Sequence, residues 1–524
     1  MKRNKNRKNL KYSGTQAWLT CLPPGRRRQV LRYFLVIPIL YLSGMGVFAQ
    51  DGVQYIYIDH ISNDYLDYLV NSGQMIPEFI FHQPYDETVW NKADVNSKPY
   101  TYFTRYWQKF YNQTAISGQL QISDDIHYHD AVYNRYRVNG SAHLVTGLVT
   151  FANRTGINQD YKYDPFYAGD LSESKHWLYG RVNDAYMDLH TGGFEFFIGR
   201  MNRNWGPPGS PGLILSNNPY SYDHLLFSYT YKKVKLSVLA ARLNNLIAYV
   251  QSDPGKPESI VLDAQRYLVG HRLDISLFSN LQLAFTEMAT FGGIDQEFDW
   301  AFLNPMTFYY GLQRNDKKQL NGFWNTDLFY KPFPKLSIYA QFLIDDIIVN
   351  NDPGVDDRAR YPDRLGVLFS LRSGDLFLDG LNINVTYDRI WNRTYQSQRT
   401  FENYHYRELG LGYPCASCEE VKLNLAYWDW FPWYFKNETI LGRYGEVDIT
   451  DLFPGKKEKF PVSPVTRNLI NRLEVHYFLS PELDIYSKIK YSADKKHYLN
   501  RMDQLRGLSF LLGVQVTLTA GMDL

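Results

Sequence analysis

Cysteine is scarce in this chain, whose 524 residues include only three. Cys21 lies in a predicted leader peptide, which leaves Cys415 and Cys418 in the sequence PCASC. So few cysteines exclude a fold that is stabilised mainly by disulfides. A C-x-x-C pair can also be a redox motif or half of a zinc site, but the first expects a thioredoxin-like βαβ context and the second needs another pair. We expect a loop disulfide or two free thiols.

The chain also lacks an excess of one charge and, after residue 49, a long apolar segment. Its 56 Lys and Arg residues nearly balance 54 Asp and Glu residues, for a formal net charge of +2. This balance gives no indication of a nucleic-acid partner. Hydrophobic residues make up 44% of the chain, yet no later stretch approaches the roughly 20 apolar residues of a spanning helix. The composition therefore disfavours a helical membrane protein.

The first 49 residues have the pattern of a cleaved secretory signal peptide. A basic segment that includes Arg26 and Arg32 precedes the apolar run YFLVIPILYLSGMGVFA, residues 33–49. Val47 and Ala49 occupy the positions where cleavage sites carry small or permissive residues. The run is too short for a spanning helix, and Pro38 interrupts it. We predict a signal peptide over 1–49 and export to the outer membrane of a Gram-negative type of cell.

Residues 50–112 are predicted to form a small helical element. Apolar side chains recur there at helical spacing in two segments. They are Ile61, Tyr65, Tyr68 and Leu69 in the first segment, and Phe103, Tyr106, Trp107 and Phe110 in the second. Ser62 or Asn63 can begin the first helix, and Gly73 can end it.

From about residue 113 the apolar pattern changes to a period of two. The last segment shows it most clearly, with one apolar face formed by Leu508, Phe510, Leu512, Val514, Val516 and Leu518. A soluble propeller or sandwich is disfavoured by strands of about ten residues, by aromatics at strand ends and by the lack of a blade-length repeat. We predict an all-β fold, a transmembrane barrel of about 18 antiparallel strands over 113–524.

The loop RMNRNWGPPGSPGLILSNNP, residues 200–219, combines Arg, Asn, Gly and Pro around one tryptophan. It lacks the phosphate-binding pattern G-x-x-x-x-G-K-[ST], and its glycines and prolines suit a rigid turn. Guanidinium groups, planar amides and an indole face together suit sugars. The alternative is a purely structural loop folded into the lumen. The predicted glycan-binding or lumenal residues are Arg200, Asn202, Arg203, Asn204, Trp205, Ser216, Asn217 and Asn218.

Within this set we expect three kinds of contact with a glycan. Trp205 is predicted to stack on a sugar ring. Arg200 and Arg203 are predicted to form ion pairs with acidic groups of the glycan, such as uronate carboxylates. The remaining hydrogen bonds are assigned to Asn204, Asn217 and Asn218.

A second polar group lies in the predicted strand around residues 266–275 and in the one after it. Arg272 and Asp274 share one strand face, whereas His271 lies on the other. Arg272, Asp274 and Glu287 are predicted to form a lumenal polar network. Separation of His271 from Asp274 weakens a catalytic pairing. We predict no metal and no cofactor.

Several motifs together resemble the capsule-assembly Wzi family. They are GR at 199–200, WGPPG at 205–209, LILSNNP at 213–219, RYLVGHRLDI at 266–275, LNPMTFYYG at 303–311 and YAQFLIDD at 339–346. The segments LVNSGQMI and QPY in the N-terminal region are also similar to that family, so the resemblance spans most of the mature chain. One departure is WGPPGSPG, where a shorter WGPG-type turn is usual in the family.

The resemblance implies an outer-membrane barrel of about 18 strands with a helical bundle at its periplasmic side. It also implies a non-catalytic, lectin-like role in attaching or assembling surface or capsular polysaccharide. The expected partners are that polysaccharide, outer-membrane lipid and, during biogenesis, the barrel-assembly machinery. Two alternatives stay open. One is a channel for saccharides or other solutes, and the other is a barrel hydrolase or acyltransferase that depends on His271.

Overall fold

The protein is described by a computed structural model over residues 52–93, 95–108, 115–128, 132–164, 166–167, 169, 179–250, 259–347, 362–493 and 507–523. The predicted signal peptide, 1–49, lies outside the described residues. No helix in the described part of the chain is long and apolar enough to cross a membrane.

The described chain forms 21 strands and three α-helices. The helices are α1 (Ser62–Asn71), α2 (Lys98–Gln108) and α3 (Tyr309–Asn315). The strands are β1 (Ala115–Tyr128), β2 (Val132–Thr146), β3 (Val149–Asn158), β4 (Gly180–Thr191), β5 (Phe194–Met201), β6 (Tyr222–Tyr231), β7 (Val234–Arg242), β8 (Leu246–Val250), β9 (Ser259–Phe278), β10 (Leu281–Gly293), β11 (Asn321–Phe333), β12 (Leu336–Asp346), β13 (Arg364–Gly374), β14 (Leu381–Ile390), β15 (His405–Tyr406), β16 (Leu409–Gly410), β17 (Cys418–Tyr427), β18 (Trp433–Gly445), β19 (Val465–Ser480), β20 (Leu483–Ser492) and β21 (Gly507–Asp523).

Nineteen of these strands form one sheet, and β15 pairs with β16 separately. Every pairing is antiparallel, and β1 pairs with both β2 and β21, so that the sheet closes on itself. Strand β8 pairs with the first residues of β9, 259–264, which precede the part of β9 that pairs with β7. Without β8, the closed circle has 18 strands. The prediction of an antiparallel barrel of about 18 strands is confirmed.

Alternation along the strands gives the barrel an apolar outer face and a polar inner face. In β21, Leu512, Val514 and Val516 are exposed on the outside, while Thr517 is buried on the inside. The inner face of the other strands buries charged and amide side chains such as Arg272 and Asn325. An outer apolar band around a polar lumen is the arrangement of a membrane-spanning barrel.

The two ends of the barrel differ in the length of their connections. Tight turns such as 147–148, 192–193 and 232–233 join strands at one end, here called the short-turn end. Segments such as 202–221, 294–320 and 391–417 join strands at the other, the long-loop end. A disulfide joins Cys415, in the last of these segments, to Cys418, the first residue of β17.

The N-terminal region, residues 52–108, closes the short-turn end of the lumen. Its apolar side chains form a cluster with aromatic residues of the barrel wall and turns. Tyr65 packs edge-on against Trp428, at 5.0 Å between ring centroids, and Phe103 packs against Phe478. The Tyr102 hydroxyl donates to the carbonyl of Ser480, the last residue of β19. Burial of these aromatic faces fixes α1 and α2 inside the barrel.

Candidate functional site: a polar cavity in the lumen

The segment 202–221 enters the lumen from the long-loop end and is held there by one glutamine of β12. The Gln341 side chain donates to the Trp205 carbonyl at 2.9 Å and accepts from the Leu213 N–H at 3.1 Å. The Trp205 N–H donates to the Leu215 carbonyl at 2.9 Å. These bonds join the two arms of the WGPPGSPG turn to the barrel wall.

Two glycines permit this turn because its arms touch. A Cβ at Gly206 would lie 2.4 Å from the Cα of Gly212, and a Cβ at Gly212 would lie 2.5 Å from the Leu215 carbonyl oxygen. No larger side chain fits where two backbones approach so closely. The Asn204 side chain completes the turn, accepting from the Gly212 N–H at 2.9 Å and donating to the Ser210 carbonyl at 3.0 Å.

The turn meets the N-terminal region in the middle of the lumen. The backbones of Gln83 and Asn204 exchange two hydrogen bonds, of 3.1 and 3.0 Å. Arg372 of β13 donates from Nη1 both to Asp67 of α1 at 2.8 Å and to the Pro208 carbonyl at 2.7 Å. Segments from opposite ends of the barrel are therefore bonded to each other and to the wall.

Trp205 lies fully buried in the centre of this assembly. Its ring is 5.7 Å from that of His82, and the Arg272 guanidinium lies 5.4 Å from its centroid. In this position the indole supports the lumenal turn from within and presents no free face for stacking on a sugar.

We expect Trp205→Ala to destabilise the barrel by about 3–5 kcal/mol, because a large buried ring is replaced by a cavity. The free energy of unfolding in urea checks this. Trp391→Ala is the matched control, since that ring is partly exposed, and it should cost clearly less. A stability unchanged by Trp205→Ala would contradict the supporting role of the ring.

The other predicted loop residues fall in three places. Arg200 lies on the outer face of β5, where it pairs with Asp223 at 2.6 Å. Arg203 lies inside, where its Nε is 2.8 Å from His224 Nε2. The other four residues lie in the loop itself. The side chain of Asn202 donates to the Pro219 carbonyl, that of Ser216 to the Gly412 carbonyl and that of Asn218 to the Gly410 carbonyl. The side chain of Asn217 is exposed.

The structure brings Arg272 and Asp274 together and adds Asp327 of β11. Arg272 Nη1 lies 2.6 Å from Asp327, and its Nε lies 3.0 Å from Asp274. Glu287 lies elsewhere, because it faces His271 across the β9–β10 pairing while its neighbour Thr286 faces Arg272. Glu287 and His271 therefore point to the outer side of the wall, with 3.2 Å between Oε2 and Nε2.

His82 connects the N-terminal region to the Arg272 group. Its Nε2 lies 2.6 Å from Asp274 Oδ2. Burial lowers the pKa of His82 to about 4, against the opposite effect of the Asp274 charge. The imidazole is therefore neutral at pH 7 and donates its Nε2 proton to Asp274.

A cavity of about 620 Å³ lies in the lumen beside the N-terminal region and the lumenal turn. Its wall comes from the N-terminal region, the turn at 208–211 and the inner faces of strands β1–β3, β13, β14 and β17–β21. Amide side chains are frequent in its lining. They are Asn63, Gln83, Gln119, Gln121, Asn139, Asn204, Asn217, Asn382, Asn384, Asn424 and Gln515.

Sequence reasoning identified only two of these amides, Asn204 and Asn217. The others lie on inward-facing strand positions far apart in the chain. The alternation of Asn382 and Asn384 with apolar residues in LNINVTYDRI predicts that they share one face of a strand. It could not show that these positions border a cavity.

Charged side chains in the cavity wall are held in close pairs. Asp64 pairs with Lys436 at 2.8 Å, and Asp67 pairs with Arg372 at 2.8 Å. Every other Asp, Glu, Lys and Arg that lines the cavity in the described structure also has a partner of opposite charge, except Asp484, which contacts the His476 imidazole. The remaining pairs are Asp59–Arg154, Arg137–Asp125, Glu438–Arg472, Glu474–Lys488 and Asp484–His476. The cavity therefore offers amides and hydroxyls to a ligand rather than unpaired charge.

One group of side chains has the residue types of a metal site. The ligand atoms of Asp188, His190 and Glu195 lie within 4.8 Å of one another. The Lys235 ammonium lies 3.0 Å from Glu195, which also accepts from the Ser228 hydroxyl at 2.6 Å. A cation already neutralises this carboxylate, so the group is suited to an ion-pair network rather than to a metal ion.

A closed 18-strand barrel with an apolar outer face and an occupied lumen defines an outer-membrane β-barrel. The sequence family described as "Capsule assembly protein Wzi" matches residues 103–431, which is more than half of the chain. The protein belongs to this family. No curated protein sequence matches the chain.

Solved structures are similar to the chain over most of its length. Wzi from Escherichia coli, an outer membrane protein involved in group 1 capsule assembly and a carbohydrate-binding β-barrel by its published description, has a TM-score of 0.58 and 12% identity, covering 89% of this chain and 99% of that one. OccK11 (OpdR) from Pseudomonas aeruginosa has a TM-score of 0.43 and 11% identity, covering 78% and 97%. The first likeness supports the fold, and the second is too distant to support an argument.

Proposed function

We propose that this protein binds surface or capsular polysaccharide at the outer membrane without catalysing a reaction, and that it helps to attach or assemble that polysaccharide at the cell surface. Family membership and the carbohydrate binding described for the Escherichia coli protein support this proposal. The observation that carries it is the amide-lined cavity, whose charged residues are already paired.

The chemistry of the cavity favours sugar hydroxyls as ligands. An amide both donates and accepts, so that one side chain can bond two hydroxyls of a pyranose. The Asn424 Oδ1 atom is buried without a hydrogen-bond partner, on a strand face that lines the cavity. The volume lies within the range of about 300–1,000 Å³ that is typical of ligand sites. We therefore propose that a short stretch of glycan, bound mainly through hydroxyls, occupies it.

Orientation follows from the two barrel ends. Outer-membrane barrels have short turns on the periplasmic side and long loops outside. We infer that the N-terminal region faces the periplasm and that segment 202–221 enters from the cell surface. A surface glycan would reach the cavity from the long-loop end, and the N-terminal region would limit its passage further. An N-terminal region in the periplasm and long loops at the cell surface also agree with the expected export of the chain by a cleaved signal peptide.

The two alternatives have less support in the geometry. A solute channel needs an open lumen, whereas the N-terminal region and segment 202–221 are bonded together inside it. A hydrolase that uses His271 needs that imidazole beside a substrate. His271 instead lies on the outer wall, 3.2 Å from Glu287.

The double substitution Gln121→Ala with Asn424→Ala is expected to weaken glycan binding by about tenfold or more, because two cavity amides lose their hydrogen bonds, each worth about 0.5–1.5 kcal/mol. The measurement is titration of detergent-purified protein with glycans that a glycan array selects. Asn315→Ala, which removes an exposed amide outside the cavity, should leave the affinity unchanged.

Equal affinity in the double variant and in Asn315→Ala would remove the cavity from the proposal. Binding that requires a uronate carboxylate, and is lost with the neutral analogue, would contradict recognition through hydroxyls. Release of shortened glycan during the titration would contradict a non-catalytic role.

A further inference from the structure

The β10–β11 connection, residues 294–320, folds back over the outside of the barrel and is here called the wall loop. It contains a short 3-10 helix, Trp300–Leu303, and α3. Its underside forms an apolar cluster with outward-facing residues of β7, β9 and β10. The cluster comprises Ala240, Tyr267, Val269, Ala289 and Phe291 from the strands, and Phe302, Tyr309, Leu312 and Leu320 from the loop or its end.

A carboxylate of the wall fixes this loop in place. Glu287 points outward from β10 and accepts hydrogen bonds from the Tyr309 N–H at 2.9 Å and from the Trp324 indole N–H at 2.7 Å. With His271 at 3.2 Å, these bonds satisfy a charge on the outer side of the barrel.

The position of Glu287 along β10 gives the height of the loop on the barrel wall. Glu287 lies six residues beyond Leu281, the first residue of β10 after its tight turn. At about 3.4 Å per residue and a tilt of about 40°, it stands roughly 15 Å above the turn. The apolar band of such barrels is about 25 Å tall, so that this carboxylate would face hydrocarbon if the loop did not cover it.

Between Trp300 and Tyr310 the side of the loop that faces away from the barrel is mostly apolar, and exposed charged residues flank this segment: Asp295 and Glu297 before it, and Arg314, Asp316 and Lys317 after it. Trp300 and Met306 are each 75% exposed, and Phe308 is 69% exposed. Tyr310 connects this surface to the lipid-facing wall, because its ring centroid lies 5.8 Å from that of Trp324. The exposed surface is thus continuous with the apolar band of the barrel.

Several backbone N–H groups of the loop form hydrogen bonds within the loop. The N–H groups of Ala301 and Met306 bond to the side chains of Asp299 and Asn304. Those of Thr307, Gly311 and Leu312 bond to carbonyls within the loop. Non-helical backbone is tolerated at membrane depth only where it is buried against protein, and the underside of this loop packs on β7, β9 and β10.

We propose that the middle segment of the wall loop, residues 300–310, is embedded in the membrane and that its exposed side chains, centred on Trp300, Met306 and Phe308, contact the acyl chains of the outer leaflet. The loop thereby widens the lipid contact of the barrel and shields the Glu287–His271 pair. This inference does not depend on glycan binding.

Nitroxide labels on single cysteines in liposome-reconstituted protein test the proposal. Met306→Cys and Phe308→Cys are compared with Phe342→Cys on the lipid-facing wall and Lys456→Cys in a long-loop-end segment. The Cys415–Cys418 disulfide leaves no free thiol at that pair. Collision rates are measured with oxygen, which partitions into lipid, and with a water-soluble nickel chelate.

Labels at 306 and 308 should show the high oxygen-to-nickel ratio of the label at 342. A ratio equal to that at 456 would place the loop in water and overturn the proposal. Low collision rates with both reagents would also overturn it, because a second protein surface would then cover the loop. The labelled positions are exposed, so that the substitutions leave the packed underside intact.

Discussion

Arg272→Met is expected to lower the free energy of unfolding by about 3–5 kcal/mol, because it leaves two buried carboxylates without their shared cation. Arg272 is fully buried and lies 2.6 Å from Asp327 and 3.0 Å from Asp274. Urea unfolding of the detergent-solubilised barrel measures the loss.

A second substitution isolates the electrostatic part of this effect. Asp327→Asn in the Arg272→Met background removes one of the unpaired charges, so we expect it to restore part of the lost stability. Arg389→Met is the matched control, since Arg389 is partly exposed and its nearest carboxylate, that of Glu419, is 3.9 Å away. It should cost less than about 1 kcal/mol. Equal losses in Arg272→Met and Arg389→Met would contradict the buried network.

Arg372→Met is expected to reduce stability by about 2–3 kcal/mol and to increase ion conductance through the barrel. Arg372 joins Asp67 of α1 to the Pro208 carbonyl of the lumenal turn. Its loss removes charge-assisted hydrogen bonds and releases the two lumenal segments from the same point of the wall. Asp67 keeps amide donors from Asn71, Asn382 and Asn384, which limits the energetic cost.

Conductance in planar bilayers distinguishes this role from general destabilisation. Arg372→Met should raise the conductance above that of the wild type, whereas Trp391→Ala should not. A conductance unchanged in Arg372→Met, together with the expected loss of stability, would show that other contacts hold the lumenal segments in place.

The barrel could be predicted from the sequence because its signal is local. Residues such as Val514 and Val516 alternate with polar neighbours, and one strand shows the pattern without reference to any other. The lumenal contacts could not be predicted in this way. Arg372 meets Asp67 and Pro208 only after the chain has closed the barrel, and nothing near Arg372 in the sequence identifies those partners.

The candidate site shows the same limit for single residues. Asn204 and Asn217 were identified from loop composition, and they line the cavity. Trp205 has the residue type of a sugar-stacking ring, but the turn that Gly206 and Gly212 permit covers its faces. Glu287 was grouped with Arg272 because both are polar in neighbouring strands. The strand register, which the sequence does not reveal, sets them on opposite sides of the wall.

The most direct test of the proposed function is a binding isotherm between the liposome-reconstituted protein and polysaccharide extracted from the surface of the cells that produce it. We expect saturable binding, recovery of the polysaccharide at its original length, and weaker binding by the Gln121→Ala and Asn424→Ala double variant. Absence of binding, or binding that the cavity substitutions do not change, would contradict polysaccharide recognition in the lumen.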